Sequence, residues 1–221
     1  MKKALVIGHT GGIGSAISTQ LHGAGYRVTG VSRSEGGLDF ADLAGADKVL
    51  AAIDGPFDLV FVATGVLTGA GVVPEKTIRA LDPAAMEAQF RINAIGPALV
   101  LKHAVRWLPK DTPSHLAVLS ARVGSISDNR LGGWISYRSA KAALNQAVRT
   151  SAIEFSRTHR HATVVAMHPG TVATSFTQEF QNKYKTISPQ VSAAGLVGTL
   201  LNTLPDQTGT FWDWNGKPVP W

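Results

Sequence analysis

Short runs of Val, Ile and Leu alternate along the chain with longer stretches in which apolar residues recur every three or four positions. The short runs lie near residues 4–7, 27–32, 59–63, 115–120, 163–167 and 210–213. They are nearly continuous in apolar character, as expected of strands buried on both faces rather than half-exposed ones. Helical period fills the gaps at about 12–24, 43–53, 83–108, 135–159 and 189–204. Strands alternating with helices of this length predict βαβ units: an α/β class protein with a doubly wound, mostly parallel sheet and helices on both faces. Residues 33–42 are too few for a crossover helix and predict a turn with at most a very short strand. No repeat or Pro/Ser linker interrupts the pattern, so residues 1–221 are expected to form a single domain.

Composition narrows the picture. With 44% hydrophobic and 16% charged residues, the chain can bury a sizeable core. It has no cysteine, which removes disulfides and thiolate chemistry and fits a reducing compartment. The apolar run after Met1-Lys2-Lys3 stops at Gly8, too early for a leader or a membrane span, so a cytoplasmic location is expected. The net charge of +6 favours an anionic ligand, but the basic residues are scattered. Without a basic stripe interleaved with aromatics, neither nucleic acid nor membrane is expected as a partner. Arg157 and Arg160 follow a helical stretch and read as cations at a helix C-terminus. The seven histidines show no metal-ligand spacing, so no metal is expected.

The first strand runs into Gly8-His9-Thr10-Gly11-Gly12-Ile13-Gly14 and then into helical period. Glycines at a strand-to-helix turn let the backbone curl tightly, and they let a pyrophosphate approach bare N–H groups at the positive end of the helix. Gly8, Thr10, Gly11, Gly12, Ile13 and Gly14 are therefore candidate dinucleotide-binding residues, and the fold is expected to be a Rossmann fold. After the second strand come Ser32 and Arg33. An acidic residue there would accept hydrogen bonds from a ribose 2′-hydroxyl, whereas an arginine suits a 2′-phosphate. NADP(H) is the preferred cofactor and NAD(H) the less favoured.

Tyr137 and Lys141 stand four residues apart at the start of a helical stretch, hence on one face. A lysine cation near a phenol stabilises the phenolate and lowers its pKa, giving an acid for carbonyl reduction and a base for alcohol oxidation. With the glycine loop, this pair makes the chain resemble the short-chain dehydrogenases/reductases, within them the small carbonyl reductases of the C-factor and sniffer type. The resemblance also takes in Asp39, Asn93, the stretch His168-Pro169-Gly170-Thr171-Val172-Ala173-Thr174 and the ending Asn215 to Trp221.

That resemblance implies an enzyme moving hydride between the cofactor and a small carbonyl or alcohol substrate. It implies Tyr137 as proton donor and acceptor, with Lys141 lowering its pKa and holding the ribose. Asn93 would keep a helix kink and a relay water. Asp39 and Phe40 would lie by the adenine, Ala63, Thr64 and Gly65 by the adenosine, and Pro169, Gly170, Val172 and Thr174 over the nicotinamide and pyrophosphate. The family's substrate-binding serine falls at Ala121, leaving Ser120 or Ser125 to supply the hydroxyl; Ser120 is the candidate. Two further departures are Val62-Ala63-Thr64-Gly65, in place of an Asn-Asn-Ala-Gly turn, and Ile7, in place of a threonine. The two long helical patterns carry small and apolar residues beyond one face, and the family's habit implies a homodimer or homotetramer built on them. Substrate choice is expected from residues 174–188, with the glycine-rich loop 66–73 able to line the cleft.

Overall fold

The computed structural model describes residues 1–68, 73–180 and 185–221. Six strands form one sheet: β1 (Lys3–Ile7), β2 (Arg27–Val31), β3 (Leu59–Val62), β4 (Ser114–Leu119), β5 (Ala162–His168) and β6 (Phe211–Asp213). Their order is β2-β1-β3-β4-β5-β6, and every neighbouring pair is parallel. The expectation of a mostly parallel sheet is met by a wholly parallel one. The central strands are buried on both faces, which is why they read as unbroken apolar runs.

Helices α1 (Gly12–Gly23) and α6 (Pro189–Asn202) pack together on one face over a core of Ile17, Leu21, Phe61, Met167 and Leu196. The other face carries α2 (Leu43–Ala51), α4 (Gly96–Trp107) and α5 (Ile135–Thr158) over Leu5, Val62, Val118, Leu144 and Val148. Trp107 is fully buried there and donates its indole N–H to the Ile53 carbonyl at 3.0 Å. Residues 33–42 form turns without a strand. Trp221 stacks on Phe211 at 5.5 Å between ring centroids, and Trp214 covers Gly170 and Gly195. Both anchor the chain end, as packing tryptophans should.

The helix expected over residues 83–108 is not uniform. It divides into α3 (Pro83–Phe90), a π-helical turn (Arg91–Ile95) and α4. An inserted π turn is a frequent device at functional sites, because it rotates side chains off the regular helical stripe. Here it carries Asn93.

Connections leave β1 toward β2 on one side and return across it to β3 on the other. The chain reverses direction between β1 and β3, the place where doubly wound sheets bind ligands beyond their strand ends. Among the described residues, no helix is long and apolar enough to cross a membrane, and no cluster of His, Asp or Glu could hold a metal ion.

Candidate active site

The glycine loop lies at that reversal point. Gly8 has φ +84°, and a Cβ on it would stand 2.9 Å from the Ala63 carbonyl at the end of β3. A Cβ on Gly14 would overlap the Gly8 carbonyl, and one on Gly12 would come within 2.8 Å of Thr174 Cγ2. Gly8 and Gly14 are required by close backbone approach, and Gly12 by the Thr174 side chain that packs over it. Gly11 precedes α1 and no side chain caps the helix, so its first N–H groups lack a side-chain acceptor. Thr64 Oγ1 is buried and has no hydrogen-bond partner. An uncapped helix start beside an orphaned hydroxyl fits a phosphate-bearing dinucleotide.

At the β2 end, the Ser32 hydroxyl accepts from the Glu35 amide at 3.1 Å, and Ser34 Oγ donates to Thr10 Oγ1 at 3.4 Å. These bonds tie the turn carrying the exposed Arg33 to the glycine loop. Asp39 Oδ1 accepts from the Ala41 amide at 2.9 Å. The Phe40 ring is buried against Gly96, which leaves its backbone as what it can offer a nucleotide.

The chemical centre gathers around Gly65. A Cβ there would lie 3.1 Å from Asn93 Oδ1, 3.5 Å from Lys141 Nζ and 4.0 Å from the Phe176 ring. Asn93 is fully buried, and its carboxamide pairs reciprocally with Val66: Nδ2 donates to the carbonyl at 2.8 Å and Oδ1 accepts from the amide at 3.0 Å. Nδ2 also donates to Gln89 Oε1, and Gln89 Nε2 donates to the Leu67 carbonyl at 3.2 Å. Lys141 is buried and donates to the Leu119 carbonyl at the end of β4, at 3.0 Å. Tyr137 stands one helical turn before it; Lys141 Nζ is 5.9 Å from the phenol ring centroid. The rings of Trp134 and Phe176 flank the phenol at 6.4 and 6.5 Å.

Burial sets the ionisation here. It pushes the Lys141 ammonium down to about 7 and the Tyr137 phenol well above its ordinary value. In the chain by itself, desolvation therefore outweighs the lowering expected from the neighbouring ammonium. Such a phenol holds its proton at neutral pH.

Ser120 is also buried, but its hydroxyl donates to Asn145 Oδ1 at 2.6 Å, while Asn145 Nδ2 donates to the Gly124 carbonyl at 3.2 Å. Its proton is engaged with α5. Ser125 Oγ accepts from the Asp128 amide at 3.1 Å. Pro169 offers its carbonyl to Ser192 Oγ at 2.7 Å, Gly170 has φ +80° beneath Trp214, and Val172 is buried with its carbonyl bonded by Thr177. Of the substrate segment and the glycine-rich loop, residues 69–72 and 181–184 lie outside the described residues.

Three contributing residues were not singled out from the sequence. Gln89 and Asn145 each stand four residues from a recognised one, Asn93 and Lys141, and helical spacing could have found them. Glu75 has no such signal.

A glycine-rich strand-to-helix turn at the reversal point of a parallel sheet, beside a buried Tyr/Lys pair, defines a Rossmann-type α/β protein. Residues 2–185 match the family described as short chain dehydrogenase. The 1-hydroxy-2-glutathionyl-2-methyl-3-butene dehydrogenase of Rhodococcus sp. (strain AD45) is 30% identical over the whole of both chains. A short-chain dehydrogenase/reductase from Burkholderia multivorans, solved with bound NADP, superposes with a TM-score of 0.82 at 26% identity, over 100% of this chain and 99% of that one. The carbonyl reductase Sniffer of D. melanogaster has the same fold, with a TM-score of 0.81 over 100% of both chains at 18% identity. The chain belongs to the short-chain dehydrogenase family of oxidoreductases.

Proposed function

We propose that the protein is an NADP(H)-dependent carbonyl reductase, acting on a small carbonyl or alcohol substrate. Tyr137 serves as general acid and base, assisted by Lys141 and Asn93. The observation that carries this reading is the convergence of Asn93 Oδ1, Lys141 Nζ and the Phe176 ring on Gly65, at the strand ends beside the glycine loop. NADP(H), when bound, supplies or accepts the hydride. The loop from Gly8 to Gly14 would hold its pyrophosphate, with Thr174 above. Ser32 and Arg33 would meet a 2′-phosphate, and Asp39, Ala63 and Thr64 would lie along the adenosine.

The protein's own contribution is proton supply and orientation. Tyr137, kept neutral by burial, donates its proton to a carbonyl oxygen as that oxygen gains negative charge. Lys141, held by the Leu119 carbonyl and poised near neutrality, steadies the phenolate left behind and passes a proton back. Asn93 fixes the Val66 backbone, next to Gly65. The aromatic rings beside Tyr137 favour an apolar substrate body.

Replacing Tyr137 by Phe should lower NADPH-dependent turnover of reactive aldehydes, diketones or quinones by about 100-fold or more, with NADPH affinity retained in a binding titration. Undiminished turnover would overturn the assignment. A second reading, a dinucleotide-binding sensor with weak catalysis, is favoured by Ala121 and by the engagement of Ser120 with Asn145. A folded protein that binds NADPH yet reduces nothing in such a panel would move the conclusion there.

A further inference from the structure

We propose that Glu75 is a positioning residue for the Tyr137 phenol, acting through Ser136 at the first turn of α5; this rests on the assignment of Tyr137 as the proton donor. The entry to α5 is unusual. Gly132, Gly133 and Trp134 all have positive φ, at +62°, +68° and +53°. Trp134 occupies the position before the helix, where Ser, Thr, Asp or Asn would normally accept the free amides, and its side chain makes no capping bond. A left-handed tryptophan is disfavoured by roughly 1–2 kcal/mol, so the conformation must be held from outside the helix.

Glu75 holds it from a segment 61 positions earlier in the chain. Its carboxylate accepts the Ser136 amide at 3.3 Å through Oε2 and the Ser136 hydroxyl through Oε1. Its backbone carbonyl accepts the Trp134 amide. Glu75 and Ser136 are 6% and 2% exposed. Among the described residues no cation pairs with Glu75, so this buried carboxylate rests on hydrogen bonds and the positive end of α5.

An ordinary capping residue at position 134 would satisfy the helix with far less buried charge. It would also remove the indole that stands edge-on to the Tyr137 ring at 6.4 Å. Delegating the cap to Glu75 frees position 134 to wall the phenol, and it fixes Ser136, the residue bonded to Tyr137, on both its amide and its hydroxyl. Displacing a reacting group by about 1 Å can reduce rate roughly 100-fold. Substitution of Glu75 should therefore act on kcat, leaving dinucleotide affinity alone.

The test measures kcat, KM and NADPH affinity for Glu75→Ala, Glu75→Gln and Glu75→Asp beside Tyr137→Phe. The Gln carboxamide oxygen still reaches Ser136, whereas Asp is one methylene short. The expected result is a fall in kcat of about 10- to 100-fold for Ala and Asp, NADPH affinity within about twofold, and recovery of most of kcat by Gln. If Glu75→Ala does not fold, Ser136→Ala provides the same kcat readout with the carboxylate in place. Native kcat in Glu75→Ala alongside an inactive Tyr137→Phe would overturn the proposal while leaving the tyrosine assignment standing. So would equal losses in Ala and Gln. Full activity in Tyr137→Phe would instead remove the assignment on which the proposal rests.

Discussion

Replacing Lys141 by Met should stabilise the fold at neutral pH while removing activity. The ammonium is 2% exposed, and burial holds its pKa at about 7, against 10.5 ordinarily. At about 1.36 kcal/mol per tenfold change in proton affinity, keeping this lysine buried at pH 7 opposes folding by about 4 kcal/mol. Between pH 7 and 10.5 the unfolded chain binds one proton more than the native one, so native stability rises with pH across that window and the penalty fades near its upper end. Met has similar volume and no charge. Its substitution leaves the Leu119 carbonyl without the donor now 3.0 Å away, a loss of about 1–3 kcal/mol. The net gain at pH 7 is about 2 kcal/mol, worth roughly 4–8 °C in Tm for a chain of this size. Urea unfolding of both proteins at intervals from pH 6.5 to 10 measures the difference directly. The variant should lead at pH 7 and fall level with or below the native protein near pH 10. A variant less stable at pH 7, or a gap that does not narrow with pH, would refute the reasoning that burial governs this lysine.

Three further expectations concern other parts of the molecule. Arg33→Ala should weaken NADPH binding by about 10- to 100-fold, the loss of a charge-assisted bond, and leave NADH binding within about threefold; equal effects on both would remove Arg33 from the 2′-phosphate site. His168 is held near a pKa of about 4, chiefly by burial, and accepts the Arg122 amide at 3.2 Å. The unfolded chain takes up that proton first, so native stability should fall as pH drops from 6.5 toward 4, by at most about 3 kcal/mol. His168→Asn should flatten this slope in acid denaturation curves; an unchanged slope would exclude the histidine as its source. Finally, Val105 on α4 and Ile153 on α5 are half exposed. We expect light scattering to give two or four times 23.3 kDa and Ile153→Asp to reduce it; a native monomer would contradict assembly through these helices.

Elements governed by local spacing were legible in the chain. The strands announced themselves because a doubly covered parallel sheet needs unbroken apolar runs. The glycine loop was legible because its backbone must curl within seven residues. Tyr137 and Lys141 could be paired because four residues make one helical turn. The kink at Asn93 came from resemblance; periodicity over residues 83–108 alone indicated one continuous helix, since helical spacing resumes on either side of the single inserted residue.

Tertiary structure decided what each polar group meets. Ser120 was the sequence candidate for the substrate hydroxyl, with Ser125 as its alternative; only the fold brings Asn145, 25 positions later, to accept the Ser120 proton. Glu75 had no sequence signature, because its partner Ser136 is 61 positions away and only the packing of a loop against α5 joins them. The ionisation of the pair likewise could not be read from spacing. Four residues place a cation near a phenol, but the depth to which the surrounding elements bury both determines which effect on the phenol is larger. Hydrogen bonds and desolvation depend on atoms that come together only when the chain has folded, and local periodicity contains no record of them.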